Sequence, residues 1–414
     1  MLLEFSCSNH KSIRERVLFS TLASTDTTYE DKNLNFDGTR VLKSAVVYGA
    51  NGSGKSNFID AIAFVKHLVT NSILNSPGQG MRQEPHKLDG YGQESSYRMQ
   101  FIAKNVRYVF GFSLKNMVVE EEYLYYFPNG RQTKIFDRTN DEFTAGSKFR
   151  GRFNTCKDVL KPNRLLLSCA ANFSSVDEVA IAYKFFDDDL VIYGKENEEN
   201  WMNYSLYQIH RNPKMKQAVI AFMNELGIDV KDIVVTIDQK QLNSSELPPF
   251  LSDEFKRMLL QRSFDAINAK VVYEAFETDL LEEESTGVQK LFGMLCPLID
   301  IMTTGKVLVC DEIESSLHES LVFGLVKLFM TVENESKAQM IFTTHETGLL
   351  NLDIFRRDQI WFTELKEDRS TDLYSLAEIK NVRKGDNFGR GYISGKYGAI
   401  PMLNLDFANV VSKM

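Results

Sequence analysis

Eight residues, Gly49-Ala50-Asn51-Gly52-Ser53-Gly54-Lys55-Ser56, fit the pattern G-x-x-x-x-G-K-[ST]. Glycines let a backbone wrap closely enough for its N–H groups to cradle phosphates, and the positive end of a following helix adds to the attraction. In that chemistry Lys55 reaches the β- and γ-phosphates, Ser56 holds Mg²⁺, and the loop with the next residue, Asn57, forms the ATP-binding set. A second group of residues supplies what a metal and an attacking water need. Asp311 and Glu312 end the apolar run "VLVCDE", which places Asp311 to hold the metal and Glu312 to orient or deprotonate water. His345 ends another apolar run, "QMIFTTH", and is a third catalytic candidate beside Glu312 and Lys55. His318, just after the acidic pair, reads as a capping or packing residue.

These residues need elements to hold them. "AVVYGA" before the loop reads as a buried strand, and "SNFIDAIAFVKHLV" after it spaces Phe58, Ile59, Ile62, Val65 and Val69 as one helical face. "KVLVCDE" and "QMIFTTH" read as further buried strands of one sheet. The segment between them, "LHESLVFGLVKLFMTV", is amphipathic, with Leu321, Leu325, Leu328 and Phe329 on one side. Alternation from Tyr97 to Phe127 predicts antiparallel strands. Residues 155–270 read as a mainly helical insert, with Pro213 and Gly227 bounding one helix. The expected organisation is therefore α/β: 1–154 and 271–414 as two parts of one ATPase domain, and 155–270 as the inserted lobe.

"EEESTGVQKL" at 282–291 has a plain reading as a helix start. Thr286 and Gln289 have the capping-box spacing, and glutamates suit the helix dipole. Val288, Leu291, Phe292, Leu295 and Ile299 give the helix its apolar face, with a kink expected at Pro297.

The order of these features, phosphate loop, long insert, Ser-x-Gly at a helix start, acidic strand end and histidine, resembles that of ABC-type ATPases. The resemblance assigns Ser285 and Gly287 to the nucleotide of an opposite subunit. "ESTGVQKLF" is similar to the variant in overcoming-lysogenization-defect (OLD) type ATPases and their abortive-infection relatives. "FSCSNHKSIRE", "DEIESSLHESLV", "RRDQIWFTE" and "GKYGAIP" resemble elements of the RloA/AbiL-like AAA family of bacterial anti-phage defence. The implied fold is an ABC-type (SMC/OLD-like) P-loop ATPase head with a mixed sheet, an antiparallel β lobe and an inserted helical lobe. The implied function is an ATPase that dimerises around Mg-ATP and acts as sensor or regulator of a separately encoded nuclease or toxin. Partners would be a second copy, that effector, and DNA or a phage component. Gln100 is a candidate for the Q-loop, with an edge strand residue as the competing reading.

Composition narrows the alternatives. The chain has 414 residues, 43% of them hydrophobic and 25% charged, and a formal net charge of −8. That balance argues against a protein coated in basic surface for nucleic acid, although a local groove stays open. The basic clusters "KFRGR" and "VRKGDNFGRGYISGK" read as solvated surface. The insert lacks sustained heptads, against a chromosome-condensing coiled coil. About 70 residues follow His345, too few for a Toprim nuclease domain beside the strands expected there. Five scattered cysteines read as reduced thiols of a cytoplasmic protein, and no apolar run predicts a membrane span. Two rival functions remain: a DNA-repair ATPase acting on DNA ends, and an ATP-dependent assembly scaffold with little turnover.

Overall fold

The computed structural model describes residues 1–27, 29, 33–241, 263–331, 337–351, 354–383 and 386–400. The chain divides into two compact units. The first comprises Met1–Tyr193, Ile301–Glu314 and Leu325–Met414, and the second Gly194–Asp300 and Ser315–Gly324.

In the first unit the apolar runs pair as a sheet. Leu190–Tyr193, Val307–Cys310, Gln339–Thr343, Ser44–Gly49 and Ile360–Leu365 lie side by side in that order, all parallel. Thr371–Ser375 adds antiparallel to the last of them. Every residue of Ser44–Gly49, Val307–Cys310 and Gln339–Thr343 is buried. A parallel sheet is covered on both faces, so its strands show no polar alternation.

The alternating segments form a second, antiparallel sheet of seven strands. Its spatial order is Glu142–Ala145, Thr133–Thr139, Val118–Phe127, Val106–Lys115, Ser95–Ala103, Leu2–Ser8 and Val17–Ser20. Helix Lys55–Asn71 ties the two sheets together. Its expected face, Phe58, Ile59, Ile62, Val65 and Val69, is buried in one core with Leu2 and Phe5 of the antiparallel sheet and Val47, Val309 and Ile341 of the parallel one. The Phe58 ring lies 5.1 Å from Phe19, which in turn lies 4.9 Å from Trp361 of the parallel sheet. Each such side chain contributes about 1.5–3 kcal/mol by leaving water, and the loop before the helix is thereby anchored at both ends.

The compact units divide the chain differently from the expected boundaries at 155 and 270. Residues 155–193 belong to the first unit because their apolar side chains share its core: Leu166, Val179, Phe185 and Phe186 pack with the strands. Phe185 stacks on Phe101 at 4.1 Å. The junction is also held by a buried charge. Helix Leu166–Phe173 has no cap of its own; Glu122, on the antiparallel sheet, accepts the Leu166 and Leu167 N–H groups at 2.5 and 2.8 Å. Arg138 donates to Glu122 at 3.4 Å, and both side chains are fully buried. Burial pushes the Glu122 carboxyl up, opposed by Arg138 and the two amides.

The second unit combines helices with a small sheet that the helical reading did not include. Helices Glu198–Arg211 and Pro213–Glu225 are present, the second capped by Asn212 with Pro213 at its first position. They are joined by a three-stranded antiparallel sheet, Asp232–Gln241, Ser263–Val272 and Glu277–Asp279. Residues 242–262 of the expected helical insert lie outside the described residues. The strands escaped the helical reading because "DIVVTIDQKQ" is short and its apolar residues cluster at one end. Helix Thr286–Thr304 runs through Pro297.

Candidate functional site

The phosphate loop is the turn between strand Ser44–Gly49 and helix Lys55–Asn71. Gly54 caps that helix with φ +108°, and no side chain occupies the capping position. The first N–H groups of a helix have no partner within it, so an uncapped start leaves that turn to a ligand. An added Cβ at Gly54 would run into the Thr371 side chain, whereas at Gly52 (φ +76°) it would meet nothing within 4 Å. The loop is therefore closed beneath and open above, the shape a phosphate cradle needs.

Side chains underneath brace it. The Ser53 and Thr363 hydroxyls are 2.6 Å apart, and Thr371 Oγ1 donates to Ser53 O at 2.9 Å. Ser12 Oγ pairs with Thr371 Oγ1 at 2.7 Å and accepts from Asn57 Nδ2 at 2.6 Å. Asn57, expected among the ATP-binding residues, thus spends its amide on bracing. Lys55 Nζ donates to Gly49 O at 2.9 Å and Ala50 O at 3.2 Å. Burial lowers the Lys55 pKa, against the pull of Glu312, Asp311 and Glu314. Ser56 is exposed at the lip of the loop.

The acidic pair and the histidine converge on the same sheet edge. Strands Val307–Cys310 and Gln339–Thr343 are adjacent and parallel, so Asp311, Glu312 and His345 leave it at the same end as Gly49. Asp311 Oδ1 accepts from Thr343 Oγ1 at 2.7 Å, and Glu312 N–H donates to that hydroxyl at 2.8 Å. Glu312 has φ +47°. Its Oε1 lies 3.9 Å from His345 Nε2, with both side chains substantially exposed, a distance for charge attraction and too long for a hydrogen bond. Glu314 Oε1 accepts the His345 N–H at 2.6 Å, and its Oε2 is buried without a hydrogen-bond partner among the described residues.

The second unit carries Ser285 and Gly287. Ser285 is exposed, and its Oγ accepts the Val288 N–H at 3.3 Å. Ser285, not Thr286, is therefore the cap of helix Thr286–Thr304. Gln289 does not close a capping box on Thr286; its amide donates to Leu281 O and Glu284 O. A Cβ at Gly287 would sit 3.0 Å from Ser316 O, so this turn admits no larger residue without movement. His318 accepts the Ser320 N–H at 3.2 Å, the capping role expected of it. Gln100 lies on strand Ser95–Ala103, where it accepts from Arg98 at 3.3 Å.

Sequence reasoning missed Ser12, Glu314, Thr343, Thr363 and Thr371. One signal was available, for Thr343: it is the last residue of a buried strand, the edge where ligands bind in open α/β sheets. All five cysteines are buried, and none is in a disulfide. No helix among the described residues is long and apolar enough to cross a membrane.

A phosphate loop between a buried parallel strand and a helix, with acidic strand ends at the same edge and an antiparallel sheet sharing the helix's core, defines an α/β P-loop ATPase-type head. The chain belongs to the family described as "AAA domain, putative AbiEii toxin, Type IV TA system", whose model matches residues 44–152 and 226–351. No curated protein matches it. Among solved structures it is similar to an SMC head bound to the C-winged helix domain of ScpA (15% identity, TM-score 0.45, 90% of this chain and 97% of that one). It is also similar to the SMC head domain from Thermotoga maritima (13% identity, TM-score 0.43, 90% and 98%). A third is the Smc head with an extended coiled coil bound to the C-terminal domain of ScpA, derived from Pyrococcus furiosus (12%, TM-score 0.41, 90% and 96%).

Proposed function

We propose that this chain binds and hydrolyses ATP, pairs with a second copy around Mg-ATP, and controls a separately encoded toxic effector or nuclease in anti-phage defence. The observation that carries the ATPase reading is the convergence of Lys55, Asp311, Glu312 and His345 on one edge of one parallel sheet. The loop of Gly49 to Ser56 holds the phosphates and Lys55 turns from its own carbonyls to them. Ser56 and Asp311 would hold magnesium, which would neutralise charge on the phosphate oxygens. Glu312 takes a proton from water as the water oxygen bonds to the γ-phosphorus and the bond to the β-phosphate oxygen breaks, releasing ADP and phosphate. His345 steadies the same edge. Ser285, Gly287 and their helix start complete the partner copy's site, since a helix N-terminus favours anions.

The defence role rests on the family description, which couples this domain to a toxin system, and on the resemblance of "ESTGVQKLF" and "DEIESSLHESLV" to abortive-infection ATPases. The test is phosphate release and molecular mass of the purified chain with ATP, in magnesium and in EDTA. Release no greater than that of Glu312→Gln would sink the enzymatic reading. For the defence role, cells carrying the chain with its neighbouring gene should survive phage challenge, and Lys55→Ala should remove that protection.

A further inference from the structure

Glu312 sits in left-handed backbone, φ +47°, which side-chain-bearing residues adopt at a cost of about 1–2 kcal/mol. Something must hold it there, and one residue of the neighbouring strand does so. Thr343 is fully buried. Its hydroxyl receives the Glu312 N–H at 2.8 Å and donates to Asp311 Oδ1 at 2.7 Å, while its carbonyl accepts the Ile313 N–H at 3.3 Å. Three successive residues at the acidic strand end are thus gripped by one threonine, and its hydroxyl is committed in both directions.

We propose that Thr343 is a positioning residue: it aims the Asp311 carboxylate at the metal and fixes the turn that presents Glu312 to water. The proton on Thr343 Oγ1 is spent on Asp311 Oδ1, so the hydroxyl can only accept from the Glu312 amide. Partners behind a metal-binding carboxylate orient it and tune its affinity. The adjacent Glu314 braces the same pair of strand ends from the opposite direction, by taking the His345 N–H. The inference rests on the ATPase reading above and adds to it the residue that couples metal binding to base placement.

Thr343→Val keeps the shape and removes both hydrogen bonds; Thr343→Ser keeps the hydroxyl. We expect Thr343→Val to bind ATP in EDTA as the unaltered chain does. Its Mn²⁺ affinity in the presence of ATP and its kcat should each fall by about 10- to 100-fold, with Thr343→Ser restoring both. Unchanged Mn²⁺ affinity and kcat in Thr343→Val would overturn the proposal, as would failure of Thr343→Ser to restore them. Should Thr343→Val melt more than about 5 °C low, Thr343→Cys, a weaker donor of similar size, carries the same two measurements with the same deciding outcomes. If the unaltered chain itself neither binds nor hydrolyses ATP, the ATPase reading fails, a result visible before any variant is made.

Discussion

The two halves of the proposed composite site are built by different means. The phosphate loop is held from beneath and behind: Lys55 by two loop carbonyls, Ser53 by Thr363 and Thr371, and the following helix by a core shared between two sheets. The Ser285 turn is exposed and is tied by its own neighbours in sequence: Ser285 Oγ caps the helix at 3.3 Å, and the Gln289 amide donates to Leu281 O and Glu284 O. A cradle that works within one chain is locked before any ligand arrives. A contact offered to another copy can stay loose until that copy ordains its geometry, at the expense of ordering when the two meet.

The sharpest way to break the comparison is at the chemical step. Glu312→Gln keeps the side chain's shape and removes the base, so phosphate release should fall by about 10²- to 10⁴-fold, while ATP binding persists. Because closure would no longer be followed by hydrolysis, this variant should accumulate as dimers in Mg-ATP by sedimentation or light scattering. Monomers at saturating Mg-ATP would show that the two halves do not meet across copies.

Lys55→Ala attacks the locked half alone. It removes a buried cation that would meet phosphate charge, for an expected loss of about 2–5 kcal/mol, roughly 30-fold or more in ATP affinity. The ammonium's burial already lowers its pKa against the pull of Glu312, Asp311 and Glu314, and an anionic ligand would offset that cost further. Titration calorimetry of ATP without magnesium reads this directly, and retained affinity would mean the loop is not the binding site.

Mixing brings the two halves into one experiment. Ser285→Arg disables the turn a chain offers, and Lys55→Ala disables the cradle it keeps. Each variant alone should be inactive. Mixed equally, half the dimers hold one intact composite site of two, so about a quarter of the unaltered turnover should return if the sites act independently. No recovery would place Ser285 outside the partner's site.

How much of this was legible in the sequence follows the same division. The parallel strands and the loop announced themselves because burial on both faces leaves an unbroken apolar run, and because Gly54 has no substitute at φ +108° with Thr371 beneath it. The bracing hydroxyls did not, since Ser12, Thr363 and Thr371 come from distant segments and only the folded sheet brings them together. The boundary at 155 failed for a related reason. Periodicity shows that Leu166 and Phe185 are apolar on one face of a helix, and it cannot say whose core receives them; Glu122, 44 positions before Leu166, decides it. The cap at 285 rather than 286 is a slip of one residue, the scale at which helix ends are ambiguous without geometry.

The smallest effect separates the two roles of Ser285. As a helix cap its hydroxyl serves only its own chain, and Ser285→Ala should cost about 0.5–2 kcal/mol of stability, read as a modest drop in melting temperature without nucleotide. Asp is an equally good cap by the same criterion, so Ser285→Asp should melt like the unaltered chain. At a partner's phosphates, however, a carboxylate repels where a hydroxyl donates. If the turn faces nucleotide, Ser285→Asp should therefore keep its stability and lose Mg-ATP-dependent dimerisation, whereas Ser285→Ala should lose a little of both. A Ser285→Asp protein that dimerises in Mg-ATP as readily as the unaltered chain would leave this serine a cap and nothing more.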